Sequence, residues 1–512
     1  MHHKDIKTQI RKQLKREYPN WQRLNKKAKK QIARKVMVEV VAGYDFSDEV
    51  KTPALELVGL SGQHLTKGIM TIDQMTKFIE VHRSGALLKL YGKDRHHPAI
   101  KDMELQIIDG MIDDRIINKL LAPIGYTPAS RDLFPCNTLR AEILKAIKYP
   151  EISYRKFCGD DNYYKDHKKN SSYIGMECKQ NRAFIGLALN RKQMINHVQM
   201  SQFRSSLTYT QLVNLNVYFL CLLRSQGLLE SHKLHFIDST ELAIDRQQLL
   251  AKMKIGKQQI RIYTDIDSDC GKRRSKRDKS VYVVGYRMHT LAAINPDGGH
   301  SIPLLSLLAP ANHHDSHFTM PLINLGKAIG LDLKLITADE AYHDSDGSLL
   351  KKTGVYLIAP PNSKVALPSN VEAETLQVTC NDLCEIAMEY VGNDQQGHEF
   401  KCGAESGRCP RALVCPQYRR IDFDGGCFQP IPHATEGVSK VIDLRKNGER
   451  PFNLIKNREG LASSRVRGQH NILAKSVFTT VATLLIEMAG TRKSHKSKRQ
   501  RQFKLFESRY TR

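Results

Sequence analysis

A chain of 512 residues is long enough to bury a large core and suggests about three domains, which excludes a minimal scaffold. Its 79 Lys and Arg against 53 Asp and Glu leave a formal charge of +26 spread along almost the whole length, and a polyanion is the partner such an excess favours. Eleven cysteines, an odd number, behind an N-terminus (Met-His-His-Lys-Asp-Ile-Lys) with no apolar signal core speak against export and a disulfide framework, so a cytoplasmic protein with reduced thiols is expected.

From Met1 to about Val36 the pattern is basic and helical, with Ile10, Leu14, Trp21, Leu24 and Ile32 among many lysines and arginines. This is either a charged surface helix or an arm that touches DNA. From about Gly59 to Leu229 the chain reads as helices joined by polar loops. The clearest carries Leu212, Leu215, Phe219, Leu222 and Leu223 and runs toward Gly227, a residue suited to a C-terminal cap.

Strands begin at Leu234. The run Lys233 to Ile237 is short and apolar, with Asp238 at its end. Lys272, Arg273, Arg274, Lys276, Arg277 and Lys279 form a basic loop before the next strand, Val281 to Asn295. Pro-Asp-Gly-Gly then turns the chain into a strand over His300 to Leu308. A helix is predicted from Ser316 to Ile329, a strand from Leu333 to Ala338 that delivers Asp339, a short helix near Ser348 to Thr353, and a last strand from Val355 to Ala359. The grammar is that of an α/β mixed sheet with flanking helices.

Residues 364 to 438 are polar and cysteine-rich and read as an insertion. Helical spacing returns at Phe452, Leu454 and Ile455, and again in the stripe Leu473, Val477, Val481, Leu484, Leu485 and Met488. The apolar stretch from Ser476 to Gly490 is too short to cross a bilayer and includes Glu487. Beyond Gly490 the tail has nine Lys or Arg against Glu507 alone, a composition usual for a disordered contact arm.

Two strand-end carboxylates, Asp238 in Leu-His-Phe-Ile-Asp-Ser-Thr and Asp339 in Leu-Lys-Leu-Ile-Thr-Ala-Asp, are candidates to meet in space, with Glu449 as a third. Plain strand capping is the alternative for the first two. Three converging carboxylates suit hard divalent cations, and a pair of ions about 4 Å apart is the standard device for phosphodiester chemistry. Asp265, Asp267 and Asp269 mimic the start of a calcium loop, but Cys270 replaces the required glycine and Lys276 the required glutamate. They read as solvated surface. His289, His313 and His314 read as structural positions near the sheet, and Tyr342 and His343 as loop residues or DNA-phosphate contacts.

Ile-Asp-Ser-Thr (237 to 240), Gly-Tyr-Arg-Met-His (285 to 289), Ala-Asn-His-His-Asp-Ser (311 to 316) and Ala-Asp-Glu-Ala-Tyr-His-Asp-Ser (338 to 345) occur in order. With Asn-Arg-Ala-Phe-Ile-Gly-Leu (181 to 187) and Gln-Phe-Arg (202 to 204) upstream, they resemble bacterial insertion-sequence transposases of the DDE class. The resembled branch has a Tyr-Arg-Glu-Lys signature. Arg445, Glu449 and Lys456 keep its spacing and would lie within about 40° of one another on a continuous helix. Ile442 departs from the signature tyrosine, and Pro451 would start or kink a helix there. Glu459 competes with Glu449 as the third acid.

The resemblance implies a ribonuclease-H-like core, preceded by a helical DNA-binding and dimerisation region (1–229). The core is split into 230–363 and 439–490 around the cysteine-rich insertion (364–438) and is followed by the basic tail (491–512). It implies two Mg²⁺ ions, with Mn²⁺ able to substitute, held by Asp238, Asp339 and Glu449. It also implies double-stranded DNA, both element ends and target, as partner of a homodimer, with no membrane. DNA contacts are expected from Arg445, Arg450, Lys456, Arg458, Arg465 and Arg467, and from Lys272, Arg273 and Arg274. Four of Cys380, Cys384, Cys402, Cys409, Cys415 and Cys427 would make a structural Zn²⁺ site; reduced, unligated thiols are the alternative. The rival activities are a metal-dependent nuclease that does not join strands and a non-catalytic DNA-binding regulator.

Overall fold

One strand organises the molecule. In the computed structural model β1 (Leu234–Ile244) runs antiparallel to the fifteen-residue β5 (Ser280–Ile294), in register from Leu234 opposite Ile294 to Ala243 opposite Gly285. The structure describes residues 2–46, 65–82, 96–122, 133–159, 178–190, 194–274, 280–297, 301–344, 347–360, 370–372, 377–380, 386–394, 397–403, 417–422, 436–446, 452–453, 455–456, 461, 463–464 and 466–510. It is an α/β protein with a mixed sheet.

Before β1 come helices α1 (His2–Glu17), α2 (Lys26–Ala42), α3 (Ile72–His82), α4 (Met103–Asp109), α5 (Asp114–Leu120), α6 (Pro135–Lys148), α7 (Tyr154–Phe157), α8 (Lys179–Ile185), α9 (His197–Ser206), α10 (Tyr209–Arg224) and α11 (Leu228–Ser231). The periodic helix expected around Leu212 is α10; Gly227, in the left-handed region at φ +70°, makes the turn into α11. Arg140 ties this region together. Buried on α6, it donates to Asp109 (2.7 Å), to Asp114 (2.5 Å) and to the carbonyls of Ile112 and Phe184.

Between β1 and β5 lie strands the sequence reading passed over. The hairpin β2 (Leu249–Ile255) and β3 (Gln258–Tyr263) is followed by β4 (Asp269–Arg274), which pairs with the first part of β5. Lys272, Arg273 and Arg274 are therefore strand residues rather than loop, opposite Tyr282, Val281 and Ser280. The basic N-terminal segment is likewise neither a simple surface helix nor a free arm. Ile6, Ile10 and Leu14 of α1 and Val36 and Met37 of α2 build a second core with Leu250, Ile260 and Ile262 of the hairpin, and the Trp21 indole donates to the Thr264 carbonyl at 3.1 Å.

The acids read as solvated surface are the hinge of this arrangement. Asp269 is buried and bonded to Lys7 and Arg11; burial raises its carboxyl, but the two cations outweigh that and hold it below the usual range. Asp265, fully buried, accepts from the Tyr286 hydroxyl and the Gly468 amide, both at 2.9 Å. Asp267 accepts from Gln469 N and from Lys15 (2.6 Å). A local charge run looks solvated because most of its partners lie more than 200 residues away in the chain.

After β5 the chain forms β6 (Ser301–Pro310), α12 (Thr319–Ala328), β7 (Leu335–Thr337), α13 (Ser348–Thr353) and β8 (Tyr356–Ile358), close to expectation. The spatial order across the main sheet is β6, β5, β1, β7, β8, with β7 parallel to both β1 and β8. Within residues 364 to 438, β9 (Met388–Asn393), β10 (Gly397–Cys402) and β11 (Tyr418–Asp422) make a separate antiparallel sheet over a small core that includes Val378, Cys380 and Phe400. Helix α14 (Glu436–Arg445) leads back to the main sheet, where β12 (Ser463–Ser464) pairs with the end of β1.

The last element, α15 (Gln469–Tyr510), inserts between β6 and the helices α4, α6, α9 and α10. Its segment Gln469–Gly490, 22 residues, holds an 18-residue window of mean hydropathy 1.6, long and apolar enough to cross a membrane, which corrects the expectation of too short a stretch. That window is 89% buried inside the protein, and a helix apolar all round belongs in a core. The helix also runs on through the basic tail instead of ending near Gly490. Residues 491 to 510 contain no Gly or Pro to stop it and many Lys, Arg and Gln that favour it.

Two substitutions test this framework. A Cβ on Gly285 would lie 2.1 Å from the Leu242 carbonyl oxygen, so Gly285→Ala should cost about 3 kcal/mol or more in urea unfolding by forcing β1 from β5. Asp269→Ala would strand two buried cations and should cost about 3–5 kcal/mol, part of it recovered by adding Lys7→Met.

Candidate acidic site on the central strand

Parallel pairing sets Phe236 against Thr337, and two residues further along each chain stand Asp238 and Asp339. Asp238 does not close its strand as expected. The β1–β5 ladder continues five residues past it, so the carboxylate is carried in mid-strand opposite Thr290. On the far edge of β1, β7 leaves after Thr337 and β12 joins only at Ala243, with no described strand paired to Asp238–Leu242. The acids sit at that interruption.

Each carboxylate has one backbone donor: Ser239 N reaches Asp238 at 2.7 Å and Ala341 N reaches Asp339 at 3.1 Å. Asp339 thereby caps the short turn Glu340–Tyr342. Burial pushes the Asp238 carboxyl up to about 6, with the charges of Asp339 and Asp315 adding to the shift. Burial and Asp315 likewise raise Asp339. Arg445, the last residue of α14, opposes both shifts, which puts its charge at this site.

Behind it, sequence reasoning placed His289 as a structural position but missed the ion pairs beside it. Arg287 of β5 donates to both oxygens of Asp315 at 3.0 and 2.9 Å and to Glu241 at 2.9 Å. Strand register puts Glu241 opposite Arg287 and Ser239 opposite His289, so these four share a face. His289 is fully buried, stacked on Phe318 with ring centres 3.8 Å apart, and its Nδ1 is 3.4 Å from the Tyr342 hydroxyl. Burial, with Arg287 next, depresses its pKa well below the usual value, so it is a neutral spacer. The available signal was the alternation Arg287, Met288, His289, which puts two polar side chains on one face. Their partner Asp315 lies beyond the next strand and had no local mark.

Glu449, its competitor Glu459, and Arg450, Arg458 and Arg465 lie outside the described residues, as do Cys384, Cys409, Cys415 and Cys427. Lys456 is half-buried in a helical turn, and α14 ends before it, so the described residues show no continuous helix from Arg445. Lys272 is exposed on β4; for Arg273 and Arg274 only the backbone is described. Arg467 is apart from the acids, lining a cavity with Tyr154 and Asp245. Cys380 and Cys402 both belong to the small core of the β9–β11 sheet. Among the described residues no three His, Cys, Asp or Glu side chains are grouped to hold a metal ion.

The raised Asp238 carboxyl has a definite sign in stability. The unfolded group ionises near 4 and the folded one near 6, so the folded state loses stability as pH rises between them. In a chelating buffer, Asp238→Asn should therefore stabilise the protein above pH 6 by up to about 3 kcal/mol and change little at pH 4, measured by denaturant unfolding at each pH. Equal effects at both pH values would remove the charge crowding inferred here. Compared with known proteins, the chain matches no protein-family model and no curated protein.

Proposed function

We propose that the chain is a cytoplasmic DNA transposase with a ribonuclease-H-like core, which binds the terminal inverted repeats of a mobile element, cuts at the ends and joins them to target DNA. The observation that carries this reading is the meeting of Asp238 and Asp339 at matched positions on adjacent parallel strands, raised by burial and by like charge. The sheet order β6, β5, β1, β7, β8, three antiparallel strands continued by two parallel ones, supports the core assignment. The charge of +26 supports a nucleic-acid partner.

The site's chemistry fits a hard divalent cation. Two part-buried oxygen donors that repel each other gain most from a shared positive ion. Asp238, Asp339 and Glu449 would hold two Mg²⁺ ions; when bound, these supply the positive charge that phosphodiester cleavage and strand joining require. Arg287, clamped by Glu241 and Asp315, stiffens the strand behind Asp238. Arg445 stands where it can meet a phosphate beside the acids, and Arg450, Lys456, Arg458 and Arg465 would extend that contact. Lys272, Arg273 and Arg274 would add theirs from β4. Two copies paired on DNA would bring both element ends together.

The test is cleavage of duplexes carrying the element ends in Mg²⁺. Asp238→Asn and Asp339→Asn should each lower cleavage at least about a hundredfold while leaving DNA binding in place. Wild-type and variant rates that agree, or no cutting in any divalent metal, would sink the catalytic reading and leave a DNA-binding regulator. Cutting without joined product would identify a nuclease.

A further inference from the structure

A cavity of about 760 Å³ lies away from the acids, where four parts of the chain converge. Gln22 comes from the N-terminal unit, Lys145 and Arg204 from α6 and α9, Asp245 from the end of β1, and Arg467 and Lys475 from the entry to α15. Its size is that of a small-ligand site.

The lining carries an unusual concentration of buried cations. Lys145, Arg204 and Lys475 are 5%, 3% and 8% exposed. Glu142 compensates part of this charge, bonding Arg204 and accepting from the Tyr154 hydroxyl at 2.7 Å. Lys145 donates to the carbonyls of Tyr149 and Pro150 and sits over the Tyr154 ring. Arg155 and Arg467 add two more cations at the rim, against Glu151 and Asp245. Counting Glu142, five cations face three carboxylates.

Two further observations point to a ligand of negative charge. The buried Nε of Arg204 has no hydrogen-bond partner in the protein, and leaving such a donor unmet is costly unless something else meets it. Burial pushes Lys475 down to about 7, with Lys145 and Arg204 adding to the shift, and burial pushes Lys145 down to about 8. Three cations crowded out of water are stabilised together by one anion.

We propose that this cavity binds a phosphate group, held by Lys145, Lys475 and the Nε of Arg204, with Arg155 and Arg467 closing over it. A guanidinium with two ammonium groups suits a tetrahedral oxyanion, and the fork of Arg204 still has a donor to give. The occupant would bridge the N-terminal unit, the helical region and the start of α15. Two sources present the same chemistry: a free phosphate or nucleotide, and a backbone phosphate of DNA. The site is independent of the acids and of cleavage.

Purified full-length protein is titrated calorimetrically in EDTA with inorganic phosphate, with ATP and with a short duplex, beside Asp238→Asn and Lys475→Met. Phosphate or ATP binding that is unchanged in Asp238→Asn and at least tenfold weaker in Lys475→Met identifies a free anion. Duplex binding that alone weakens in Lys475→Met, with the salt slope reduced by about one, identifies a DNA phosphate. Should Lys475→Met fail to fold, the rim variant Arg155→Ala is read in the same way, with at least threefold weakening expected. The proposal is overturned if no ligand binds at about 1 mM, or if binding is indifferent to these substitutions.

Discussion

The structure depends on the ten-residue ladder between β1 and β5. It sets Asp238 opposite Thr290, Glu241 opposite Arg287 and Ser239 opposite His289, so one register places both the front acid and the charged layer behind it. A slip of one residue would turn each of these side chains to the other face. Gly285 lets the ladder close, because the Leu242 carbonyl occupies the place of its missing side chain. β7 docks in parallel on the other edge and brings Asp339 to the same level.

Charge is spent in two ways in this protein. In the supporting structure buried acids and bases are matched: Asp269 with Lys7 and Arg11, Arg140 with Asp109 and Asp114, Arg287 with Glu241 and Asp315. Such networks hold parts distant in sequence in one arrangement, since removing any partner leaves a buried charge alone. At two places the matching is incomplete. Asp238 and Asp339 crowd negative charge, and the cavity between α6, α9 and α15 crowds positive charge. Unbalanced burial is costly to a fold, and it is where ligands of opposite sign gain most.

Much of the main sheet was legible in the chain. β5, β6, α12, α13 and β8 fall close to their predicted positions because each carries its own local signal, an apolar run or a helical period bounded by turn residues. The hairpin β2–β3 and strand β4 were not legible. Their residues are too polar to announce a strand, and they fold because α1 and α2 cover one face of the hairpin and β5 pairs with β4. The length of β1 was underestimated for a related reason, since Ser239 to Ala243 is strand because β5 pairs with it, and Ile244 because β12 does.

Local chemistry in the sequence was enough to single out Asp238 and Asp339 as candidates, since an acid directly after an apolar run is conspicuous, and to mark the basic character of the chain. Which acids are buried, and against what, was decided by contacts across hundreds of residues. Asp265 and Asp269 look like surface until α1 and the start of α15 close over them, and Asp315 looks ordinary until Arg287 meets it. Helical period and apolar runs are written over a few neighbours, so they can be read in order. The pairing of charges is set by register and packing, and these exist only once the chain has folded.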